Sequence, residues 1–249
     1  MRIFKDIKYG KTDSCTLDVY VPDNETFSAT FVHFHGGGIE QGDKTDPCCV
    51  DFADSFTKIG YGYVSVNYRM YTAGAKFPEF LEDAAEAVAW VKTHIKEYGG
   101  NGDLYLSGQS AGAWLSVMLC LNEKYLNAVG MSPLEIKGWV IDSSQMTAHY
   151  NVLKYETGGH PSLQRINEYA PLYFVNEDTK FTRMLLFFYE EDLPTRPEQN
   201  MLFIKTVQNF NKEADIAYKR LKGGHCQGST LKDSDGEYPY IKEIMRWLK

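Results

Sequence analysis

An α/β fold, with a mostly parallel sheet of about eight strands and helices on both faces, is what the sequence predicts. Three observations carry that expectation. Short β-rich runs alternate with longer stretches in helical period. Two glycine-rich turns, Gly36–Gly38 and Gly108–Gly112, each follow directly on an apolar run. No Pro/Gly/Ser linker, low-complexity tract or internal repeat divides the 249 residues, a length that one α/β domain commonly has. A single domain over residues 1–249 is therefore expected.

The runs Ile3–Tyr9 and Thr16–Val21 read as an antiparallel opening, closed by Pro22 and the polar Asp23-Asn24-Glu25. Thr30–Phe34 is a buried strand, followed by a helix over about Cys49–Ile59 and the strand Tyr63–Val66. The strongest helix is Phe80–Tyr98, where Leu81, Ala84, Ala85, Val88, Val91 and Ile95 recur at helical spacing. Gly99-Gly100 stops it, as glycine past a helix end does. Next come the strand Asp103–Ser107, a sharp turn and a helix through about Asn122. Strands at Ile136–Asp142, Met184–Tyr189 and Ala214–Lys219, with helices at Arg196–Asn211 and Pro239–Leu248, complete the pattern. The aromatic-rich stretch Ser143–Lys180 fits the alternation poorly. An excursion of that length reads as a small cap insertion over residues 143–180.

Composition excludes several classes. Apolar residues at 43% and charged residues at 24% describe an ordinary globular chain. No apolar run approaches the ~20 residues that span a bilayer, so no membrane partner is expected. The net charge of −7 comes without a lysine or arginine cluster, which argues against a nucleic-acid partner. The segment Met1–Gly10 has no signal-peptide core, and if Met1 is the natural start a cytoplasmic location is expected. The five cysteines form no disulfide framework, and the vicinal Cys48-Cys49 reads as reduced thiols at a helix start. No His-Glu-x-x-His, calcium loop or paired Cys-x-x-Cys occurs, so neither metal nor cofactor is expected.

The chemistry lies in the two turns. Gly108-Gln109-Ser110-Ala111-Gly112 satisfies G-x-S-x-G between an apolar strand and a good helix. A serine at so tight a strand-to-helix turn is strained and exposed at the carboxyl end of the sheet. That predicts Ser110 as a nucleophile, with the Ala111 amide at the positive end of the helix. In His35-Gly36-Gly37-Gly38, successive glycines let backbone amides approach a ligand without β-carbons in the way. The amides of Gly37, Gly38 and Ala111 are the expected oxyanion hole. His33 and His35 read as structural.

These residues resemble the hormone-sensitive-lipase and carboxylesterase branch of the α/β-hydrolases. The resemblance runs over most of the chain, through Leu17-Asp18-Val19-Tyr20-Val21-Pro22, His35–Gly38 and Val66-Asn67-Tyr68-Arg69. It continues with Phe77-Pro78, Asp83, Trp90 and the Gly108–Gly112 turn. Gln109 departs from the acidic residue often found before the nucleophile. The shorter chain, without a long amino-terminal cap, is similar to the compact esterases that include acetyl-xylan and feruloyl esterases.

The resemblance implies an α/β-hydrolase fold, and a chain order of serine, acid, then histidine. His94 falls in the long helix, and His149 and His160 precede any acid after the next strand. That leaves His225, in Gly223-Gly224-His225, as the base. Glu190, Glu191 and Asp192 compete as the acid. The register of Phe188–Asp192 against the family's His-Gly-x-x-Asp, with Pro197-Glu198-Gln199 after it, selects Asp192; Asp142 is the minor candidate. The implied activity is a serine esterase for short-chain acyl or carbohydrate-linked esters. An amide-cleaving relative (a formamidase or peptidase) is the alternative within enzymes, and a ligand-binding scaffold without activity is the alternative outside them. Oligomeric state is not legible.

Overall fold

The structure, a computed structural model, describes residues 1–249. Its strands are β1 (Arg2–Lys8), β2 (Thr16–Val21), β3 (Thr30–Phe34), β4 (Gly62–Val66), β5 (Leu104–Gln109), β6 (Ile136–Asp142), β7 (Met184–Glu191) and β8 (Ile216–Gly224). Its helices are α1 (Pro47–Lys58), α2 (Glu79–His94), α3 (Ala111–Leu121), α4 (Lys124–Ala128), α5 (Tyr150–Thr157), α6 (Arg196–Phe210), α7 (Gln227–Thr230) and α8 (Pro239–Trp247). The strands form one sheet in the order β1-β2-β4-β3-β5-β6-β7-β8. β2 is antiparallel to both β1 and β4, while every pairing from β4 across to β8 is parallel.

Alternation along the central strands sorts side chains into two cores. From β7, Met184, Leu186 and Phe188 enter the larger core with residues of α2, α3 and α6. Leu185 and Phe187 face the other way, joining Phe52 and Phe56 of α1 and Ile241 and Ile244 of α8. This is the period-2 consequence of a strand buried on both faces. Each such side chain contributes about 2 kcal/mol when fully buried. No helix is long and apolar enough to cross a membrane.

Observed boundaries differ from the expected ones where tertiary contacts decide. The last turn of the long helix tightens into a 3-10 turn, Ile95–Tyr98, and closes on Gly99 at φ 101°. β7 and β8 run on to Glu191 and Gly224, past their apolar stretches, because they pair with each other. Segment 143–180 carries α5 and a 3-10 turn, Pro171–Phe174. Met146, Val152 and Leu172 anchor it in the larger core. Asn151 Nδ2 donates to the Gly38 carbonyl at 2.7 Å, which ties α5 to the first glycine turn.

An ion pair between a half-buried arginine and a buried aspartate fixes the loop after β4 onto α2. Arg69 reaches both oxygens of the buried Asp83, Nη2 to Oδ1 at 2.6 Å and Nε to Oδ2 at 2.8 Å, and its own N–H donates to Oδ2 at 2.9 Å. Removing Asp83 strips Arg69 of those three hydrogen bonds and leaves it Glu79 alone, whose Oε1 lies 2.7 Å from Nη1. Asp83→Ala is expected to lower unfolding free energy by about 3 kcal/mol in urea titration; a loss below about 1 kcal/mol would show the pair to be dispensable.

Candidate active site

β5 ends at Gln109 and α3 begins at Ala111, so Ser110 alone makes the reversal, at φ 51° and ψ −110°. Its N–H donates to the Asp142 carbonyl at 2.8 Å, holding the turn to the end of β6. Two glycines permit the close approach this needs. A β-carbon on Gly108 would lie 2.3 Å from the Gly112 carbonyl carbon, and one on Gly112 would lie 2.0 Å from the Phe34 carbonyl oxygen.

Three side chains from distant elements meet at the turn. Ser110 Oγ lies 2.8 Å from His225 Nε2, and His225 Nδ1 lies 2.5 Å from Asp192 Oδ1. With Nδ1–H donating to the carboxylate, Nε2 is left as the acceptor for the serine hydroxyl. The β7–β8 register accounts for the pairing: Glu191 faces Gly224 after a bulge, so the residues that follow on the two strands, Asp192 and His225, come together. The Asp192 side chain is fully enclosed. Burial pushes its pKa up, but hydrogen bonds from His225, the charge of that ring, and bonds from Ser143 and the Leu193 amide outweigh it. The carboxyl is held below its ordinary range. Such a relay can take the serine proton as Oγ attacks a carbonyl, and stabilise the imidazolium that forms.

The other candidate groups fall elsewhere. Glu190 and Glu191 are exposed. Asp142 is buried beneath the turn, with its carboxyl oxygens within hydrogen-bond reach of the hydroxyls of Ser143 and Ser229. His33 is buried against Ser107 Oγ at 2.9 Å, and burial lowers its pKa to about 3. His35 stacks on Tyr68 with ring centres 4.5 Å apart, and Tyr68 Oη donates to its carbonyl. His94 stacks on Trp90, and His149 caps α5. His160 is exposed.

Gly36, Gly37 and Gly38 line a cleft of about 630 Å³ together with Ser110 and His225. Gly37 and Gly38 have φ of 102° and 69°, the left-handed region that other residues enter only under strain. A β-carbon would lie 1.9 Å from the Gln41 carbonyl oxygen at the first and 2.4 Å from Tyr150 Oη at the second. Ala111, the third expected donor, opens α3 directly after Ser110. The departure at Gln109 also has a physical account. Its buried amide donates to the Ser229 carbonyl at 3.2 Å, a bond that a carboxylate has no proton to make. Cys48 Sγ faces the same side chain from α1 and lines the cleft, and all five cysteines are free thiols.

Sequence reading missed Ser143, Ser229 and Asn151, which brace Asp192, the His225 loop and the glycine turn respectively. No local motif marks them: Ser143 and Asn151 make contacts 49 and 113 residues away, and the Ser229 bond to the Cys226 carbonyl, three residues back, is of a kind common at helix starts.

A parallel sheet with an antiparallel start, and a serine held at a strand-to-helix turn between two glycines, define the α/β-hydrolase fold. The BD-FAE family model matches residues 17–156, more than half of the chain. The chain belongs to the BD-FAE family. Among curated proteins it is similar to a probable carboxylic ester hydrolase, LipM, of Mycobacterium tuberculosis, with 33% identity over 47% of this chain and 28% of that protein. Gut esterase 1 of Caenorhabditis briggsae is 32% identical over 56% of this chain, again with 28% of that protein covered. This chain thus spans under a third of either relative. Among solved structures, a truncated carbohydrate esterase from gut microbiota superposes with a TM-score of 0.78 at 16% identity, covering 99% of this chain and 95% of that one. Esterase 2 of Thermogutta terrifontis gives 0.75 at 18%, covering 99% and 93%. These likenesses establish the fold.

Proposed function

We propose that this protein is a serine esterase, a carboxylic ester hydrolase in which Ser110, His225 and Asp192 form the catalytic triad. The observation that carries the reading is the unbroken hydrogen-bond series from Ser110 Oγ through His225 to Asp192 at the floor of the cleft. The names of the relatives support it. His225 takes the proton of Ser110 as Oγ attacks the ester carbonyl. The amides of Gly37, Gly38 and Ala111 hold the oxyanion, each donor stabilising the transition state by ~3 kcal/mol. His225 then protonates the leaving alcohol, and water repeats the sequence on the acyl-enzyme.

The substrate is a small-molecule ester with a short acyl group or a carbohydrate-linked alcohol. Polar groups dominate the cleft wall, with Glu40, Gln41, Asp46 and Gln109 beside the glycines, and only Leu193 and Tyr150 add large apolar surface. Segment 143–180 serves as a small cap over the glycine turn, to which Asn151 tethers it. The test is hydrolysis of nitrophenyl esters of graded chain length, with labelling by a fluorophosphonate. Turnover greatest for acetyl or butyryl, with the phosphonyl adduct mapped to Ser110, supports the reading. An adduct elsewhere, or turnover greatest beyond about eight acyl carbons, would sink the mechanism or the substrate class respectively.

A further inference from the structure

Beneath the site lies a second acid that the proposed chemistry does not use. Asp142 ends β6, fully buried, and none of the groups acting on its carboxyl is a cation. Its oxygens reach two hydroxyls. Ser229 Oγ contacts Oδ2, and Ser143 Oγ lies 3.5 Å from Oδ1. Both serines also hold triad partners. Ser143 Oγ donates to Asp192 Oδ2 at 2.9 Å and accepts from the Cys226 amide at 3.4 Å. Ser229 Oγ lies 3.0 Å from the carbonyl of Cys226, the residue after His225. The backbone of Ser143 is strained to reach this place, at φ 54°, with its N–H on the Phe187 carbonyl and its carbonyl on Arg196 Nη1.

We propose that Asp142 is a positioning residue which, through the hydroxyls of Ser143 and Ser229, sets both the Asp192 carboxylate and the loop that carries His225. This rests on the triad reading above. The donor count explains why an uncharged acid is needed there. Each serine has one proton to give. When Asp142 is the neutral acid, it donates to Ser229 Oγ, which frees the Ser229 proton for the Cys226 carbonyl. Ser143 then gives its only proton to Asp192. When Asp142 is ionised, the Ser229 hydroxyl turns to it, leaving the Cys226 carbonyl to the Ser229 N–H and Thr230 Oγ1, and two carboxylates compete for the Ser143 proton.

The surroundings favour the neutral form. Burial pushes Asp142 up to about 7, with the charge of Asp192 adding to the rise and the hydroxyls of Ser229, Tyr189 and Ser143 opposing it. The groups facing this pocket are Asp192 and Tyr189 of β7 and its loop, Cys226 beside His225, and Tyr240 of α8. Arg196 at the start of α6 sits behind Ser143. A carboxyl raised in this way is protonated below about pH 7 and ionises above it, so the arrangement loosens as pH rises.

The experiment compares wild type with Asp142→Asn and Asp142→Ala, each checked for folding by its melting curve. Asparagine keeps a donor group, the NH2, and an acceptor oxygen without the charge. The expected result is that Asn retains turnover at about pH 6, while Ala loses about tenfold in kcat at little change in KM. The ratio of Asn to wild-type turnover should climb about threefold between about pH 6 and about pH 8.5, as only the wild type loses its bracket. Nitrogen NMR of His225 reads the same event without substrate: its signals carry a step near pH 7 from Asp142 in the wild type, and that step is missing in Asn. His225 signals with the same pH dependence in both proteins, or an Asn variant as impaired as Ala, would overturn the proposal. Absence of turnover in every protein would count against the esterase reading alone, and the His225 spectra would still decide the role of Asp142.

Discussion

Ser110→Ala is expected to lower kcat for nitrophenyl acetate by about 10⁶-fold, and Asp192→Asn by about 10⁴-fold, in both cases with a folded protein. The two losses differ because the side chains do different work. Without Oγ no acyl-enzyme forms, and only the oxyanion amides and substrate binding remain. Asparagine in place of Asp192 turns an acceptor into a donor facing His225 Nδ1, 2.5 Å away in the wild type. The imidazole must then carry its proton on Nε2, the nitrogen 2.8 Å from Ser110 Oγ, where an acceptor is required. Steady-state kinetics on the two variants, with KM measured separately, checks this. An Asp192→Asn variant within about tenfold of wild type would remove Asp192 from the triad. If Asp142→Asn were the variant that fell by about 10⁴ instead, the acid would have to be sought at the end of β6.

How much of this was readable beforehand depends on the range over which each feature is encoded. Ser110 is legible because its whole context is local: an apolar strand, glycines two residues either side, and a helix. The glycine turn at Gly36–Gly38 is legible for the same reason. His225 and Asp192 needed the chain order implied by resemblance, since a run of three carboxylates does not itself reveal which one faces the histidine. What separates Asp192 from Glu190 and Glu191 in space is the bulge between Tyr189 and Glu191, a property of two paired strands.

The same limit explains the boundaries that moved. β8 continues through Lys219, Arg220 and Lys222, whose charges mask a strand that exists because β7 lies beside it. α5 is short and offers no long periodic stripe; its signals are the cap at His149 and Gly158 at φ 64°. The bracket of Asp142, Ser143 and Ser229 was the least legible of all. Its members are common polar residues, and only the convergence of β6, the loop after β7 and the loop after β8 makes them a unit.

Gly112→Ala is expected to destabilise the fold by more than about 3 kcal/mol, or to leave it insoluble, because nothing near the added methyl can yield. Its β-carbon would lie 2.0 Å from the Phe34 carbonyl oxygen, 2.5 Å from its carbon and 2.6 Å from the His35 carbonyl oxygen. These are backbone atoms of β3 and of the turn that follows it, not flexible side-chain ends. Relief requires α3 to back away from β3. Gly158→Ala supplies the comparison: it also lies at positive φ, 64°, but with nothing within 4 Å of the new carbon. That variant carries the backbone cost alone, about 1 kcal/mol. Urea titration of the two, followed by far-ultraviolet circular dichroism, separates steric crowding from conformational preference. Equal losses would mean that α3 moves freely. The expected inequality has a functional consequence, because the contact that excludes the methyl is also what seats the first turn of α3 on Phe34 and His35, directly before Gly36–Gly38. A helix that withdrew would widen the gap between the amides of that turn and Ser110, so any folded Gly112→Ala protein should lose turnover as well as stability.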